Sequence, residues 1–297
     1  MGGAALKPDV RLRHESSRLP KYNVKQESVA VVPEKMQTGP FGIVKTKSEP
    51  VVGQCKLCLE EKHLHESHLM PSALYAPGKK GLQFATRSQS GQNPQHMKAH
   101  LLCFDCEQRF NRLGESEVLR WLAPKARKQF PLHDRLRVAL RCAEAGPYSI
   151  YKGFDVGLDT EKFAYFTLSV AWRRSIHEWL GFDGVPMPPW NLGEFGEQMR
   201  TFLVGDTGLP PDTCIQVLVC TDAHSREFWS VPTAGVLHNC LAFDFLARGV
   251  WFRGLMGHHL PANSRYINCA SPYGRILLGH CREETMEKLS ILAPMTG

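Results

Sequence analysis

Four of the ten cysteines in this chain fall into two C-x-x-C pairs, and this spacing constrains the fold more than any other feature. The first pair is Cys55 and Cys58, and the second is Cys103 and Cys106. Zinc prefers thiolate ligands in a tetrahedral array, which two such pairs can supply. Four thiolates leave no coordination position open for water, so the sequence predicts a structural zinc site and not a catalytic one.

The surroundings of the two pairs differ. Cys55 lies shortly after a glycine and Cys58 precedes a polar turn, which is typical of a hairpin knuckle. Cys106 lies just before a helical pattern, so we expect it at the start of a helix. A knuckle and a helix N-terminus around one zinc ion make a treble-clef finger. Two unrelated pairs, or pairs with a redox role, are the alternative interpretations.

The chain as a whole has the composition of a globular protein. It has 297 residues, is 43% hydrophobic and 22% charged, and carries a net charge of +7, which favours a polyanionic partner. The sequence contains neither an apolar run of about 20 residues nor the apolar core of a signal peptide, so we expect a cytoplasmic protein without membrane contact. In that reducing compartment we expect buried free thiols at Cys142, Cys214, Cys220, Cys240, Cys269 and Cys281.

Changes in composition along the chain predict three regions. Residues 1–50 should be a flexible basic N-terminal extension, because they show no sustained hydrophobic period. Residues 51–145 should form the zinc finger with basic helices, and residues 146–297 a C-terminal domain of unknown role. The predicted fold class is therefore α+β. It combines a zinc-bound treble-clef (ββα) finger, a helical segment and a C-terminal α+β domain with antiparallel strands.

Hydrophobic periodicity predicts the elements within these regions. We expect a loop over residues 76–98, a basic helical stretch over 118–145, and an amphipathic helix over 162–180. A shorter helix should cover Glu194–Val204. Strands should follow at residues 214–220, 227–231, 238–245 and 250–255.

Three short motifs carry a resemblance to a known family. They read CKLC from Cys55, SHLMP from Ser67 and CFDCE from Cys103. In this order they resemble the HNH, or His-Me finger, endonucleases over residues 53–120. The sequence is more closely similar to a bacterial group of HNH-like proteins with Ser-His-x-x-Pro and Leu-Leu-Cys-x-x-Cys-Glu elements. That group also has a downstream helix with Ser-x-x-Trp-Arg, which here runs from Ser169 to Arg173.

The resemblance implies a function and residues that perform it. The function would be metal-dependent hydrolysis of phosphodiester bonds in nucleic acid. His68 would be the general base, and Glu107 would bind a catalytic Mg²⁺ or another divalent cation. Glu115 and Glu117 are second choices for this cation, because they lie two to three helical turns further on.

The sequence departs from the family pattern at Ser67, at Glu107, where members often carry a His or an Asn, and at the middle Asn. Ser67 stands where members often have an Asp or a His that binds the catalytic metal. The middle Asn of the motif has no clear counterpart, and the nearest residues of suitable type are Asn93 and His100.

Basic residues after the finger point to a nucleic-acid partner, DNA rather than RNA. Contacts from such residues to phosphates give affinity by releasing counterions, and we assign them to Arg120, Lys125, Arg127 and Lys128. The alternative function is a non-catalytic, zinc-stabilised module that binds nucleic acid or protein. The second half could also be a sensor or partner-binding domain, because it is rich in tryptophan, although an ordinary core explains the same residues.

Overall fold

The structure is a computed structural model. It describes residues 50–75, 83–85, 90–92, 97–123, 130–181, 184–221, 224–270 and 272–279. The predicted N-terminal extension, apart from Pro50, lies outside these residues, and so do Lys125, Arg127, Lys128, Asn93 and Cys281.

The described residues form a mixed α+β structure. Its helices are α1 (Ser72–Tyr75), α2 (Phe104–Phe110), a π-helical turn (Asn111–Glu115), α3 (Ser116–Leu122), α4 (Pro131–Val138), α5 (Gly153–Val156), α6 (Thr160–Ser175), α7 (Glu194–Val204), and two 3-10 turns (His224–Glu227 and Ala262–Ile267). Its strands are β1 (Val52–Gln54), β2 (Glu61–His68), β3 (Gln83–Ala85), β4 (Ser90–Gln92), β5 (Lys98–Cys103), β6 (Ala143–Ala145), β7 (Tyr148–Lys152), β8 (Trp179–Leu180), β9 (Pro186–Met187), β10 (Thr213–Cys220), β11 (Phe228–Ser230), β12 (Thr233–Leu237), β13 (Cys240–Ala247), β14 (Val250–Met256) and β15 (Arg275–Gly279).

A small antiparallel sheet of β1, β2 and β5 holds the two cysteine pairs. The first pair lies in the turn between β1 and β2, where the Leu59 N–H donates to the Cys55 carbonyl at 2.9 Å. The second pair begins at the last residue of β5 and continues into α2. Leu64 of β2 lies opposite Cys103, which aligns the turn with the start of the helix. The expected knuckle and helix start are thus both present.

A ten-stranded, mostly antiparallel sheet dominates the second half of the chain. Its order is β4-β3-β11-β13-β14-β10-β15-β7-β6, and β12 also pairs with β13. The predicted strands are confirmed as β10, β11, β13 and β14, and the predicted helix Glu194–Val204 is confirmed as α7. One face of the sheet packs on α6, and there the Phe243 ring lies over Gly254, where a Cβ would approach it to 2.0 Å. The antiparallel α+β prediction is therefore confirmed.

Helix α6 is not amphipathic, contrary to the expectation for residues 162–180. It ends at Ser175, and twelve consecutive residues from Phe163 are buried. The helix is enclosed because it lies between two packed layers. Phe166 contacts Phe252 of the sheet, with ring centroids 5.3 Å apart, and Trp172 contacts Phe110 of α2 at 6.1 Å. One cluster of buried side chains runs from the small sheet and α2 into the large sheet, and the proposed domain boundary at residue 145 stays a prediction.

The basic stretch 118–145 is not one continuous helix. Helix α3 ends at Leu122, α4 begins at Pro131, and residues 143–145 are strand β6. The sequence has prolines at 124 and 131, and a proline tends to end a helix or to occupy its first turn. The loop expected over 76–98 also contains strands, because β3 pairs with β11 and β4 pairs with β3. Residues 76–98 are rich in polar side chains, so their sequence pattern indicates a loop, whereas the pairing of these strands depends on backbone hydrogen bonds.

The cysteines outside the two pairs do not all behave as expected. Cys214, Cys240 and Cys269 are buried free thiols, but Cys142 is free and exposed. Cys220 is disulfide-bonded, which corrects the expectation of a free thiol there. Disulfides are rare in reducing compartments, so this bond does not support the expected cytoplasmic localisation, which stays a prediction. Within the described part of the chain, no helix has both the length and the apolar character that crossing a bilayer requires.

Candidate functional site: a four-cysteine centre and an adjoining polar cluster

The structure brings the four predicted zinc ligands together. Their Sγ atoms all lie within 4.8 Å of one another, and those of Cys58 and Cys103 are 3.9 Å apart. With zinc–sulfur bonds of about 2.3 Å, a regular tetrahedron places its sulfur atoms roughly 3.8 Å apart. The geometry therefore fits a tetrahedral metal ion such as zinc.

Electrostatics favours a cation in the same place. A hydrogen bond with Cys106 lowers the pKa of Cys55 to about 4, and backbone N–H groups, including that of Cys103 at 3.3 Å, add to this effect. The contact with Cys55 raises the pKa of Cys106, as does burial. Crowded thiols oppose each other's ionisation, and a divalent cation removes this opposition by binding the thiolates. The four-cysteine cluster is thus suited to binding a metal.

Next to this centre lies a polar cluster organised by Arg173 of α6, whose side chain is 1% exposed. Its Nη1 donates to the main-chain oxygen of His68 at 2.8 Å, and its Nη2 donates to Oε1 of Glu115 at 2.8 Å. Its Nε donates to the carbonyl of Ser169 at 3.3 Å. The guanidinium also lies over the Phe110 ring, 5.1 Å from its centroid. One side chain therefore connects the end of β2, the π turn and α6.

Glu107 of α2 lies in this cluster with a largely buried carboxyl group. Burial raises its pKa and the Glu115 carboxylate raises it further, whereas Arg173 and Ser67 lower it. Ser67 is near enough to stabilise the charged form. Even so, neither Ser67 Oγ nor Glu107 Oε1 has a partner at hydrogen-bonding geometry among the described residues. These two buried oxygen atoms can thus still accept a hydrogen bond or bind a cation.

The predicted site residues occupy different positions around this cluster. His68 is the last residue of β2, is partly buried, and contributes its main-chain oxygen to Arg173. Glu115 joins the cluster, but Glu117 does not, because its Oε1 accepts from Trp121 Nε1 at 2.9 Å. Arg173 was missed as a site residue. The Ser-x-x-Trp-Arg element was the one signal in the sequence that pointed to it.

Of the four basic residues assigned to nucleic acid, only Arg120 lies in the described part of the chain. Its side chain is 58% exposed, and its Nη2 lies 2.8 Å from Oε1 of Glu117. Its guanidinium also lies over the Trp121 ring at 4.9 Å. Arg120 is thus accessible at the surface, and its role in nucleic-acid binding stays a prediction.

A second group of basic residues borders the four-cysteine centre. A cavity of about 300 Å³ there is lined by Cys58, Cys103 and Cys106, and also by Lys62, Arg109 and Arg112. Lys62 lies 2.7 Å from Glu60 and 3.4 Å from Asp105, and both contacts raise its pKa. These three residues form no local sequence pattern, because they are dispersed over β2, α2 and the π turn.

The geometry thus contains two adjoining features, the four-cysteine centre and the cluster of Ser67, Glu107, Glu115 and Arg173. The first can hold a metal ion, and the second has unpartnered buried oxygen atoms. In comparisons with known proteins, no family model, no curated protein and no solved structure matches this chain.

Proposed function

We propose that this protein is a metal-dependent HNH-type endonuclease whose treble-clef finger is held by a structural zinc ion. The observation that carries the proposal is the buried carboxylate of Glu107, with one oxygen unpartnered among the described residues, beside the unpartnered hydroxyl of Ser67. Two carboxylates, Glu107 and Glu115, share this cluster with one cation, Arg173. An excess of negative charge around free oxygen ligands favours Mg²⁺ or a similar divalent ion.

Each residue has a defined role under this proposal. Glu107 would hold the divalent cation, with Ser67 as a neutral oxygen neighbour. The cation would stabilise negative charge on the scissile phosphate. His68 would take the proton from the attacking water, since an imidazole titrates near neutral pH. Arg173 fixes the backbone at His68 and so orients the strand end that carries the base.

The nucleic acid, which we expect to be DNA rather than RNA, would contact basic side chains near the finger. Lys62, Arg109 and Arg112 line the cavity beside the four-cysteine centre, and Arg120 is exposed on α3. Contacts from these groups to phosphates would be independent of sequence and would weaken as salt concentration rises.

A non-catalytic nucleic-acid- or protein-binding module is the second candidate. The observation in its favour is that Arg173 already pairs with Glu115 at 2.8 Å, which leaves Glu107 as the remaining carboxylate of the cluster. Ser67 adds no charge to the site. A cation would then be bound weakly, and the finger would serve as a scaffold.

Cleavage assays on matched variants separate the two candidates. Purified full-length protein would be incubated with supercoiled plasmid DNA and with single-stranded RNA, in Mg²⁺, Mn²⁺ or Ni²⁺. We expect cleavage of DNA that is lost in His68→Ala and in Glu107→Gln. His63→Ala is the control, because His63 lies on the same strand, opposite Val52 of β1.

Zinc content and nucleic-acid binding complete the experiment. Metal analysis should find one zinc ion per chain in the wild type and in all three variants, so that loss of cleavage is not loss of the finger. If the wild type cuts neither substrate, or if His68→Ala cuts as well as the wild type, the nuclease proposal fails. Salt-sensitive binding without cleavage would then support the second candidate.

A further inference from the structure

The face of the large sheet that points away from α6 carries a cavity of about 650 Å³, which we call the outer-face cavity. Alternate residues of a strand point to opposite faces, so Val217 and Phe252 pack towards α6 while Leu218 and Trp251 line the cavity. The 3-10 turn Ala262–Ile267 contributes Tyr266 to its rim. This volume lies within the range of known small-molecule sites.

A row of polar residues crosses the sheet on this face. Gln216 lies opposite Arg253, Arg253 lies opposite Asp244, and Asp244 lies opposite Thr233. Arg253 Nη2 and Asp244 Oδ2 are 3.4 Å apart, and Thr233 Oγ1 donates to Asp244 Oδ1 at 3.1 Å. Polar side chains on a buried sheet face are costly unless they are satisfied. Asp244 is satisfied within the row, whereas Arg253 Nε has no partner among the described residues.

Two N–H donors of the cavity lining have no partner among the described residues. They are Nε1 of Trp251 and Nε of Arg253, and both atoms are buried. Most buried donors in folded proteins are hydrogen-bonded, so two such atoms in residues of one cavity are unusual. A bound molecule with hydrogen-bond acceptors would satisfy them.

The remaining lining is apolar and aromatic. Ile150, Leu218, Trp251 and Leu277 belong to one buried cluster, against which Tyr148 packs. The Tyr148 ring lies over Gly279, where a Cβ would come within 2.4 Å of it. These side chains suit a flat hydrophobic ring more than a flexible polar chain.

Charge at the cavity is already balanced. Asp244 offsets the guanidinium of Arg253, and Arg141 pairs with Glu144, the other charged residue of the lining. An anionic ligand would leave its own charge uncompensated there. We infer that the outer-face cavity binds a neutral, planar ring compound that presents hydrogen-bond acceptors to Trp251, Arg253 and Gln216. This inference is independent of the proposed nuclease activity.

Caffeine is a suitable probe, because it is neutral and planar and has carbonyl acceptors. Benzoate, which is planar but anionic, and cyclohexanol, which is neutral but not planar, are the comparison ligands. Binding would be measured by saturation-transfer NMR and by titration of the full-length protein. We expect saturable caffeine binding below about 10 mM, with binding of benzoate and cyclohexanol weaker by at least about threefold.

Variants locate the bound probe. Trp251→Phe keeps an aromatic side chain but removes the N–H together with the pyrrole ring that carries it, and should weaken caffeine binding about fivefold. Tyr266→Ala changes a rim residue that is 73% exposed, so it should weaken binding without affecting folding. Tyr273→Ala is the control, because Tyr273 is another exposed tyrosine that does not line the cavity.

Three results would overturn the inference. They are the absence of saturable caffeine binding, equal caffeine affinity in the wild type and in Tyr266→Ala, and benzoate or cyclohexanol binding as tight as that of caffeine. Should Trp251→Phe fail to fold, the comparison of Tyr266→Ala with Tyr273→Ala decides on its own. Since the readout is binding and not cleavage, an inactive protein does not affect the result.

Discussion

Replacement of Arg173 by methionine is the sharpest test of the polar cluster. Methionine keeps much of the length and apolar contact of the side chain, but it removes every hydrogen bond of the guanidinium. The main-chain oxygen of His68 would lose its donor, and the Glu115 carboxylate, whose side chain is 12% exposed, would lose its cation. Glu107 would then lie near a second carboxylate without Arg173 to offset either charge.

The expected cost follows from this burial. Removing one partner of a buried ion pair destabilises a protein by about 3–5 kcal/mol, because the other charge is left uncompensated. Glu115→Gln in the same chain removes that charge. The double variant should therefore lose less stability than the sum of the two single variants, with a coupling free energy of about 1–3 kcal/mol.

Arg174→Met is the matched control. Arg174 is also buried, donates to the carbonyl of Pro188 at 2.9 Å and lies over the Trp190 ring. Burial lowers its pKa to about 10, and no carboxylate among the described residues offsets that effect. Its replacement leaves no carboxylate unpaired, so it should cost only about 1–2 kcal/mol.

The measurement is urea unfolding at pH 7 in the presence of excess zinc, followed by circular dichroism. The free energy of unfolding would be obtained by linear extrapolation for the wild type, the three single variants and the double variant. If Arg173→Met costs no more than Arg174→Met, or if Arg173 and Glu115 show no coupling, the electrostatic description of the cluster is wrong.

Two further predictions concern the metal centre and the sheet. Zinc removal by a strong chelator, or Cys106→Ser, should melt the finger and lower its protection from hydrogen exchange, while Cys142→Ser should change neither property because Cys142 is exposed and outside the cluster. Burial raises the pKa of Asp244 to about 6 from 3.8, so this group should make the protein less stable as pH rises from about 4 to about 6, by roughly 3 kcal/mol in total. Asp244→Asn should remove that slope from urea unfolding curves recorded across the same pH range, and an unchanged slope would contradict the assignment.

The metal centre could be predicted because its signal is local. Each C-x-x-C turn places two sulfur atoms on one side of an ion whatever the rest of the chain does, and so the sequence alone predicts the four cysteines that cluster in the structure. Strands β10 and β14 were also found, since their apolar runs are bounded by turn residues.

The polar cluster could not be predicted from local patterns. Arg173 lies 58 residues from Glu115 and 105 residues from His68, and only tertiary packing brings them together. The same packing explains why α6 is not amphipathic, since polar residues such as Ser169 and Arg173 are buried along with the apolar ones. Those residues bond to each other, and Arg173 also bonds to β2 and the π turn, so the sequence pattern of a buried polar face resembles that of an exposed one.

The π turn has a consequence for the direction in which the two glutamates point. In a regular α-helix, residues eight apart, such as Glu107 and Glu115, are offset by about 80° around the axis. A π turn accommodates one extra residue, as the bond from the Ser116 N–H to the Asn111 carbonyl indicates. Glu107 and Glu115 are then related like residues seven apart in a regular α-helix, which are offset by only about 20° around the helix axis. The π turn thus places both carboxylates on nearly the same side of the helix, where both lie near Arg173.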